Sequence, residues 1–206
     1  KSYVRDGLER LGIDRSRLLP RCDHLSASTL IVPGFASSFG KPSSANLAWL
    51  ERFWDLPGPS KATRTTAAKG STRLWFGRPG ALHRTVIGEQ HWSTKLRAPF
   101  MQQGSIREQQ AQVMQTDLVI APHGAGMANL LAAPVGSEVI ELVNPAYQPP
   151  YFDGLIARRQ LRHRKLETSP TPLPLQEWLY AGPLAFPIDL GTESSPAAEA
   201  LASLTS

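Results

Sequence analysis

The sequence predicts an α/β fold with a parallel sheet, and three observations carry that expectation. From residue 72 onward, strand-like apolar runs at 72–76, 117–121 and 138–142 alternate with helix-like stretches at 105–116 and 127–131. Strands joined through helices pair in parallel, because a crossover returns the chain to its starting edge before the next strand begins. The run Leu118, Val119, Ile120, Ala121 has the β-branched, uninterrupted character of a strand buried on both faces. It is followed at once by Pro122, His123, Gly124, Ala125 and Gly126, a glycine-rich turn that opens the next helix.

The flanking segments follow in order. Val4, Leu8 and Leu11 recur at helical spacing and Gly12 supplies a stop, so residues 3–11 form a short helix. Residues 29–32 end at Pro33 and Gly34 and read as a buried strand feeding a Ser/Gly-rich turn at 36–44. A second helix covers 45–54, and 57–71, rich in Pro, Gly, Thr, Lys and Ala without apolar period, is a linker. The chain thus divides into a partial linking region at 1–71, a core at 72–151 and a C-terminal wrap at 152–206. In the last part Pro and Tyr lead into a basic cluster of Arg158, Arg159, Arg162, Arg164 and Lys165, then an Ala/Ser-rich tail expected to fray.

Composition sets the class. With 206 residues, 41% hydrophobic and 19% charged, the chain can close a core, and no apolar run reaches the roughly 20 residues of a membrane-spanning helix. A soluble protein is expected. The net charge of +5 and pI near 9.7 favour anionic partners without choosing among them. Cys22 stands alone and no Cys/His cluster has zinc spacing, which suits a reducing, cytoplasmic setting, with association to a membrane left open. The chain opens on Lys1 without a charged-then-apolar leader, and a preceding portion is expected.

The glycine turn is where chemistry enters. Gly124 and Gly126 let the backbone approach a ligand, and a helix start offers unpaired N–H groups and a positive dipole end to a phosphate. A dinucleotide fingerprint would place a third glycine where Asn129 stands, so the pattern does not imply NAD. The bland alternative is a tight strand-to-helix turn. Glu141 interrupts the apolar run Val139, Ile140, Leu142 near its C-terminal end, where an acid can accept hydrogen bonds from ribose; the alternative is a strand-end charge paired with an arginine. Arg78 lies just past the first strand, with Arg84 and His83 close behind. Their guanidinium forks suit a diphosphate, although a surface position is the simpler reading for any one arginine. His123 has the pKa range for proton transfer, and its place in the turn equally fits a phosphate contact or a structural role. Tyr147 and Tyr151 either border the cleft or brace the chain's exit from the sheet, and Trp75, Trp92 and Trp178 are assigned to packing.

Taken together, Pro122-His123-Gly124-Ala125-Gly126, then Asn129-Leu130, Pro134, Gly136-Ser137 and Val139-Ile140-Glu141-Leu142 resemble the C-terminal signature of glycosyltransferase family 61, in its bacterial type. Arg78 and Arg84 look like the arginines that open that family's C-terminal lobe, and Glu108-Gln109 resembles its helix-start pair. The resemblance implies a Rossmann-like sheet, the C-terminal lobe of a GT-B-like enzyme whose N-terminal lobe is missing or truncated. It also implies inverting transfer of a sugar from a nucleotide-sugar, commonly UDP-linked, to a hydroxyl acceptor in surface-glycan synthesis, with no metal or other cofactor expected. The residues it assigns to the nucleotide-sugar are Arg78, Arg84, His123, Gly124, Ala125, Gly126, Asn129 and Glu141, with His123 the one candidate for catalysis. The sequence departs from the pattern at Pro79, where a second arginine is common, at Gly88-Glu89, and in the brevity of 89–101, where a helix and strand are usual. Two other readings stand beside it: a truncated module that binds nucleotide or a partner without transfer, and nucleic-acid binding by the basic cluster, for which no motif or aromatic platform is present.

Overall fold

The computed structural model describes residues 2–18, 26, 28–29, 37–38, 41–59, 72–78, 84–145, 147–168 and 187–205. Its centre is a four-stranded, wholly parallel sheet of β3 (Arg73–Trp75), β4 (Leu118–Pro122), β5 (Glu138–Val143) and β6 (Arg162–Glu167), in that spatial order. A small antiparallel pair, β1 (Ser37–Ser38) and β2 (Lys41–Pro42), precedes it within the stretch expected to be a turn. The helices are α1 (Ser2–Arg10), α2 (Ser44–Phe53), α3 (Glu89–Lys95), α4 (Ile106–Val113), α5 (Asp153–Arg158) and α6 (Pro196–Thr205), with a 3₁₀ helix at Ala125–Ala132. Among the described residues, no helix is long and apolar enough to cross a membrane.

The decisive detail of the topology is Phe100. It bridges Trp75 in parallel: Trp75 donates to Pro99 and accepts from Met101, while the next residue, Phe76, donates to Ile120 of β4. Backbone groups of successive residues point to opposite edges of a strand, so Phe100 lies on the side of β3 away from β4. The chain therefore steps first to one side of β3, then returns and builds β4, β5 and β6 on the other. Right-handed crossovers that change direction change face. Accordingly α4, the 3₁₀ helix and α5 cover one face with Val113, Met127, Leu130, Leu131, Leu155 and Ile156. The other face is covered by α3 and α6 through Trp92, Ala197, Ala198 and Leu201. The short 89–101 connection accommodates a seven-residue helix and a single bridging residue, and the sheet stays in register.

Local signals explain the elements. Ser43 caps α2 by accepting from Asn46 N–H at 3.2 Å, and Ser105 with Glu108 forms a reciprocal capping box at the start of α4. Asp117 ties the starts of β3 and β4 together, accepting from the Thr72 N–H at 3.1 Å. Trp75 and Trp92 are buried, as their assignment to packing requires; Trp178 lies outside the described residues. So do Cys22, residues 30–36 of the expected strand and its turn, and 60–71 of the linker.

The C-terminal part differs from expectation. The tail does not fray: Ser195 accepts from the Ala198 N–H at 3.2 Å, Pro196 occupies the first helical position, and the small residues of α6 fit flat against the sheet. The basic cluster is also not one surface, because 162–167 is the edge strand β6 and 158–159 end a helix. Arg158 bonds Glu51 at 3.0 Å, and Arg164 and Arg162 pair with Glu138 at 3.0 Å and 3.6 Å. Arg159 is fully buried and donates to Ala133 O at 3.0 Å and Pro57 O at 2.7 Å, with Glu51 at 3.6 Å.

Glu51 is thus the carboxylate that balances a buried guanidinium. Glu51→Ala is expected to lower unfolding free energy by about 3 kcal/mol, whereas Arg164→Ala, at an exposed pair, changes it by less than about 1 kcal/mol. Urea denaturation of the two variants beside the wild type checks the contrast.

Candidate functional site at the sheet's reversal point

In open parallel sheets, ligands bind beyond the carboxyl ends of the two strands between which the winding reverses. Here those strands are β3 and β4, and the segments leaving their ends are Phe76-Gly77-Arg78 and His123-Gly124-Ala125. The Arg78 guanidinium crosses from one to the other and donates to the His123 carbonyl at 3.2 Å. Gly124 leaves room for that crossing, since a Cβ there would overlap the Arg78 guanidinium and displace it. Gly126 differs: a Cβ would meet nothing within 4 Å among the described residues, so none of them calls for glycine. Ala125 and Gly126 are exposed at the start of the 3₁₀ helix, where the first N–H groups have no intrahelical acceptor.

Arg84 joins Arg78 at this end of the sheet. Its guanidinium lies over the Tyr147 ring at 5.3 Å, its Nε is buried without a protein hydrogen-bond partner, and its backbone is held in the left-handed region at φ 52°. Burial, and then the charge of Arg84, hold Arg78 below the usual guanidinium value, with Glu89 acting in the opposite direction. Glu89 itself has its Oε2 buried without a partner. An anion that meets both arginines relieves their mutual repulsion. His83, next to Arg84 in sequence, lies outside the described residues.

Below the turn, His123 and Glu141 are each only 2% exposed. The β4–β5 register sets Ala121 opposite Glu141, which brings Glu141 beneath the turn, and His123 Nδ1 bonds Glu141 Oε1. The other oxygen, Oε2, is 2.8 Å from His163 Nε2 on β6. Burial opposes the charge of Glu141, but the hydrogen bonds and proximity of the two imidazoles outweigh it and hold the carboxyl at about 2. Glu141 was expected to meet ribose; the structure instead buries it and engages both oxygens with histidines. Tyr147, Phe152 and Tyr151 surround the His123 ring with centroids at 5.6, 5.5 and 6.0 Å, so the two tyrosines border the site. Burial and the neighbouring Tyr151 raise the Tyr147 phenol above its ordinary value.

Asn129 is also placed differently from a ligand contact. It is 6% exposed and donates to Gln109 Oε1 at 3.0 Å, fastening the 3₁₀ helix to α4, while its Oδ1 is buried without a partner. Gln109 in turn donates to Gly104 O at 3.0 Å, so the helix-start pair singled out in the sequence acts in bracing: Glu108 caps and Gln109 links. The residue that sequence reasoning missed is His163, absorbed there into a basic cluster. Its signal is the parallel register, which sets Glu141 opposite Lys165, so that His163 two residues earlier shares the same sheet face. The two imidazoles address opposite oxygens of one carboxylate, and among the described residues no group of three or more His, Cys, Asp or Glu side chains is arranged to hold a metal ion.

No family model matches this chain, and a search of curated proteins likewise gives no match. The fold is α/β with a four-stranded parallel sheet, compatible with a Rossmann-like arrangement, and Arg78 crosses its reversal point.

The ionised, doubly bonded Glu141 stabilises the fold wherever it is charged natively but protonated more readily when unfolded. Because its folded value is depressed from 4.5 to about 2, its contribution is complete above pH 4.5 and is lost as pH falls toward 2. Glu141→Gln should therefore be less stable than the wild type at neutral pH, with the gap narrowing across that window in urea midpoints measured against pH.

Proposed function

We propose that this chain is the donor-binding lobe of an inverting glycosyltransferase of the family 61 kind, taking a nucleotide-diphosphate sugar, UDP-linked, at the β3–β4 reversal point. The observation that carries the reading is the crossing of Arg78 to the His123–Gly124 turn at the start of the 3₁₀ helix, with Arg84 near enough to act on its charge, at the place where parallel sheets receive ligands. On this reading the two guanidiniums neutralise the diphosphate, and the N–H groups of Ala125 and Gly126 receive its oxygens. The open space above Gly126, unneeded by the fold, is the volume the phosphates fill. Sugar transfer leaves negative charge on the departing diphosphate, and preorganised cations and backbone dipoles stabilise that charge as it develops. His123, buried with Nδ1 turned to Glu141, supports the site through its carbonyl, which accepts from Arg78. The acceptor is a hydroxyl of a surface glycan, attacking from the face of the sugar opposite the diphosphate.

A nucleic-acid role for the basic residues is disfavoured by what they touch, because Arg158 and Arg159 are committed to Glu51 and buried carbonyls and Arg162 and Arg164 to Glu138. Calorimetric titration with UDP, GDP and CMP tests the reading. UDP is expected to bind in preference, with Arg78→Ala and Arg84→Ala each weakening it by about 10- to 100-fold, the loss of charge-assisted hydrogen bonds. Gly126→Val should weaken binding while leaving thermal stability close to wild type, since its side chain meets open space. Absence of binding to any of the three nucleotides by folded protein would refute the assignment.

A further inference from the structure

Along the carboxyl edge of the sheet the strands stand in the order β3, β4, β5, and the side chains at their ends change character in the same order. Tyr147 follows β5; its ring lies 5.6 Å from that of His123 at the end of β4, with the Arg84 guanidinium over it at 5.3 Å. Arg78 spans from the end of β3 to the turn after β4. At the β3 end stands Glu89, in the first turn of α3, with Oε1 3.5 Å from where a Cβ on Gly77 would lie. The edge thus runs from aromatic through cationic to anionic. The charges agree with that order, since Glu89 acts on Arg78, while the groups acting on the Tyr147 phenol are Tyr151 and Arg84. Glu89 is half-buried, and its Oε2 is closed from water with no hydrogen-bond partner among the described residues. An unmet buried acceptor is costly, and the partner it lacks is an O–H or N–H. A phosphate oxygen cannot serve, being an anionic acceptor itself; a neutral hydroxyl carried next to a diphosphate can.

We propose that Glu89 is the sugar contact of this site, its carboxylate accepting from a hydroxyl of the donor sugar, while the nucleoside lies toward Tyr147 and Tyr151 at the other end of the edge. The assignment rests on the donor-site reading above and adds to it the direction of the ligand. Two glycines place the carboxylate. Gly88, at φ 67°, turns the chain in the left-handed region so that Glu89 opens α3. Gly77 lacks the Cβ that would overlap the Phe100 ring, which lets the segment leaving β3 pass close to Glu89. Glu141, the other carboxylate near the turn, has both oxygens engaged by His123 and His163.

The test is calorimetric titration of the whole chain, as wild type, Glu89→Ala and Glu89→Gln, with UDP, UDP-glucose, UDP-xylose and UDP-N-acetylglucosamine, thermal unfolding showing that each variant is folded. Whichever sugar nucleotide the wild type binds most tightly should bind Glu89→Ala about tenfold more weakly, the scale of one hydrogen bond to a charged group. Glu89→Gln, whose amide oxygen still accepts, should fall between the two. UDP, which lacks the sugar, should bind both variants no more weakly than the wild type, because loss of a negative charge beside Arg78 does not hinder an anion. Equal weakening of UDP and the sugar nucleotide, or a sugar nucleotide that binds the folded variants as it binds the wild type, would overturn the sugar contact and leave the donor site standing. So would a wild type that binds UDP but none of the three sugar nucleotides. A wild type that binds none of the four ligands would overturn the donor-site reading, and the sugar contact with it.

Discussion

Everything at the ligand end of this molecule depends on one topological constraint, the reversal of winding at β3. Because Trp75 pairs with Phe100 on one edge while Phe76 pairs with Ile120 on the other, the connections leaving β3 and β4 part toward opposite faces. At that divergence Arg78 crosses from the end of β3 to the His123–Gly124 turn. Parallel strands deliver all their carboxyl ends to one side, so Arg78, His123 and Glu141, far apart in sequence, arrive together. The two hydrophobic layers are consequences of the same reversal, with α4, the 3₁₀ helix and α5 on one face and α3 and α6 on the other.

Within that frame, the chain handles its buried and half-buried charges in three ways. Arg159 is neutralised by Glu51 and by backbone carbonyls, an arrangement that closes the α2–α5 contact and leaves no group for a ligand. Glu141 is held by two histidines, one facing the cleft and one at the sheet edge. Arg78 and Arg84 are the exception: they repel one another, and Arg78, partly buried, has Glu89 as the carboxylate acting on it. Buried charge without full local compensation is costly to maintain, and it is tolerated at sites that await an oppositely charged partner. That contrast, rather than the overall charge of +5, separates the cleft from the rest of the basic surface.

The central strands were legible because Leu118 to Ala121 is apolar without interruption and Val139, Ile140 and Leu142 are broken only by Glu141; these runs correspond to β4 and β5. The turn was legible because glycine there has a specific physical meaning, which the crossing of Arg78 over Gly124 makes concrete. β6 was not, because as an edge strand it buries only Leu166 and carries Arg162, Arg164 and Lys165 outward, so its pattern imitates a charged loop. The closing helix was hidden by small residues that look like a tail until Ser195 and Pro196 are read as a helix start. Glu141 was found as an anomaly in an apolar strand, but its partners depend on strand register. His163 therefore escaped notice, and Asn129 looked like a ligand contact because Gln109, its partner, is twenty residues away. The likeness to family 61 rests on the turn, Asn129, Pro134 with Gly136-Ser137, and Glu141. Of these, the turn and Glu141 sit at the reversal point and Asn129 braces the 3₁₀ helix, while Gly136-Ser137 join the amino ends of the strands, Ser137 donating to Thr116 O.

Whether the β3–β4 reversal point receives a diphosphate is tested most directly by an amide-resolved NMR titration of the whole chain with UDP, repeated with inorganic pyrophosphate. Both ligands are expected to shift the amides of Arg78, Arg84 and Gly124 through Met127, with UDP adding shifts around Tyr147 and Tyr151. Shifts confined to Arg162 through Lys165 on the edge strand, or none with either ligand at millimolar concentration, would contradict a diphosphate site at the reversal point.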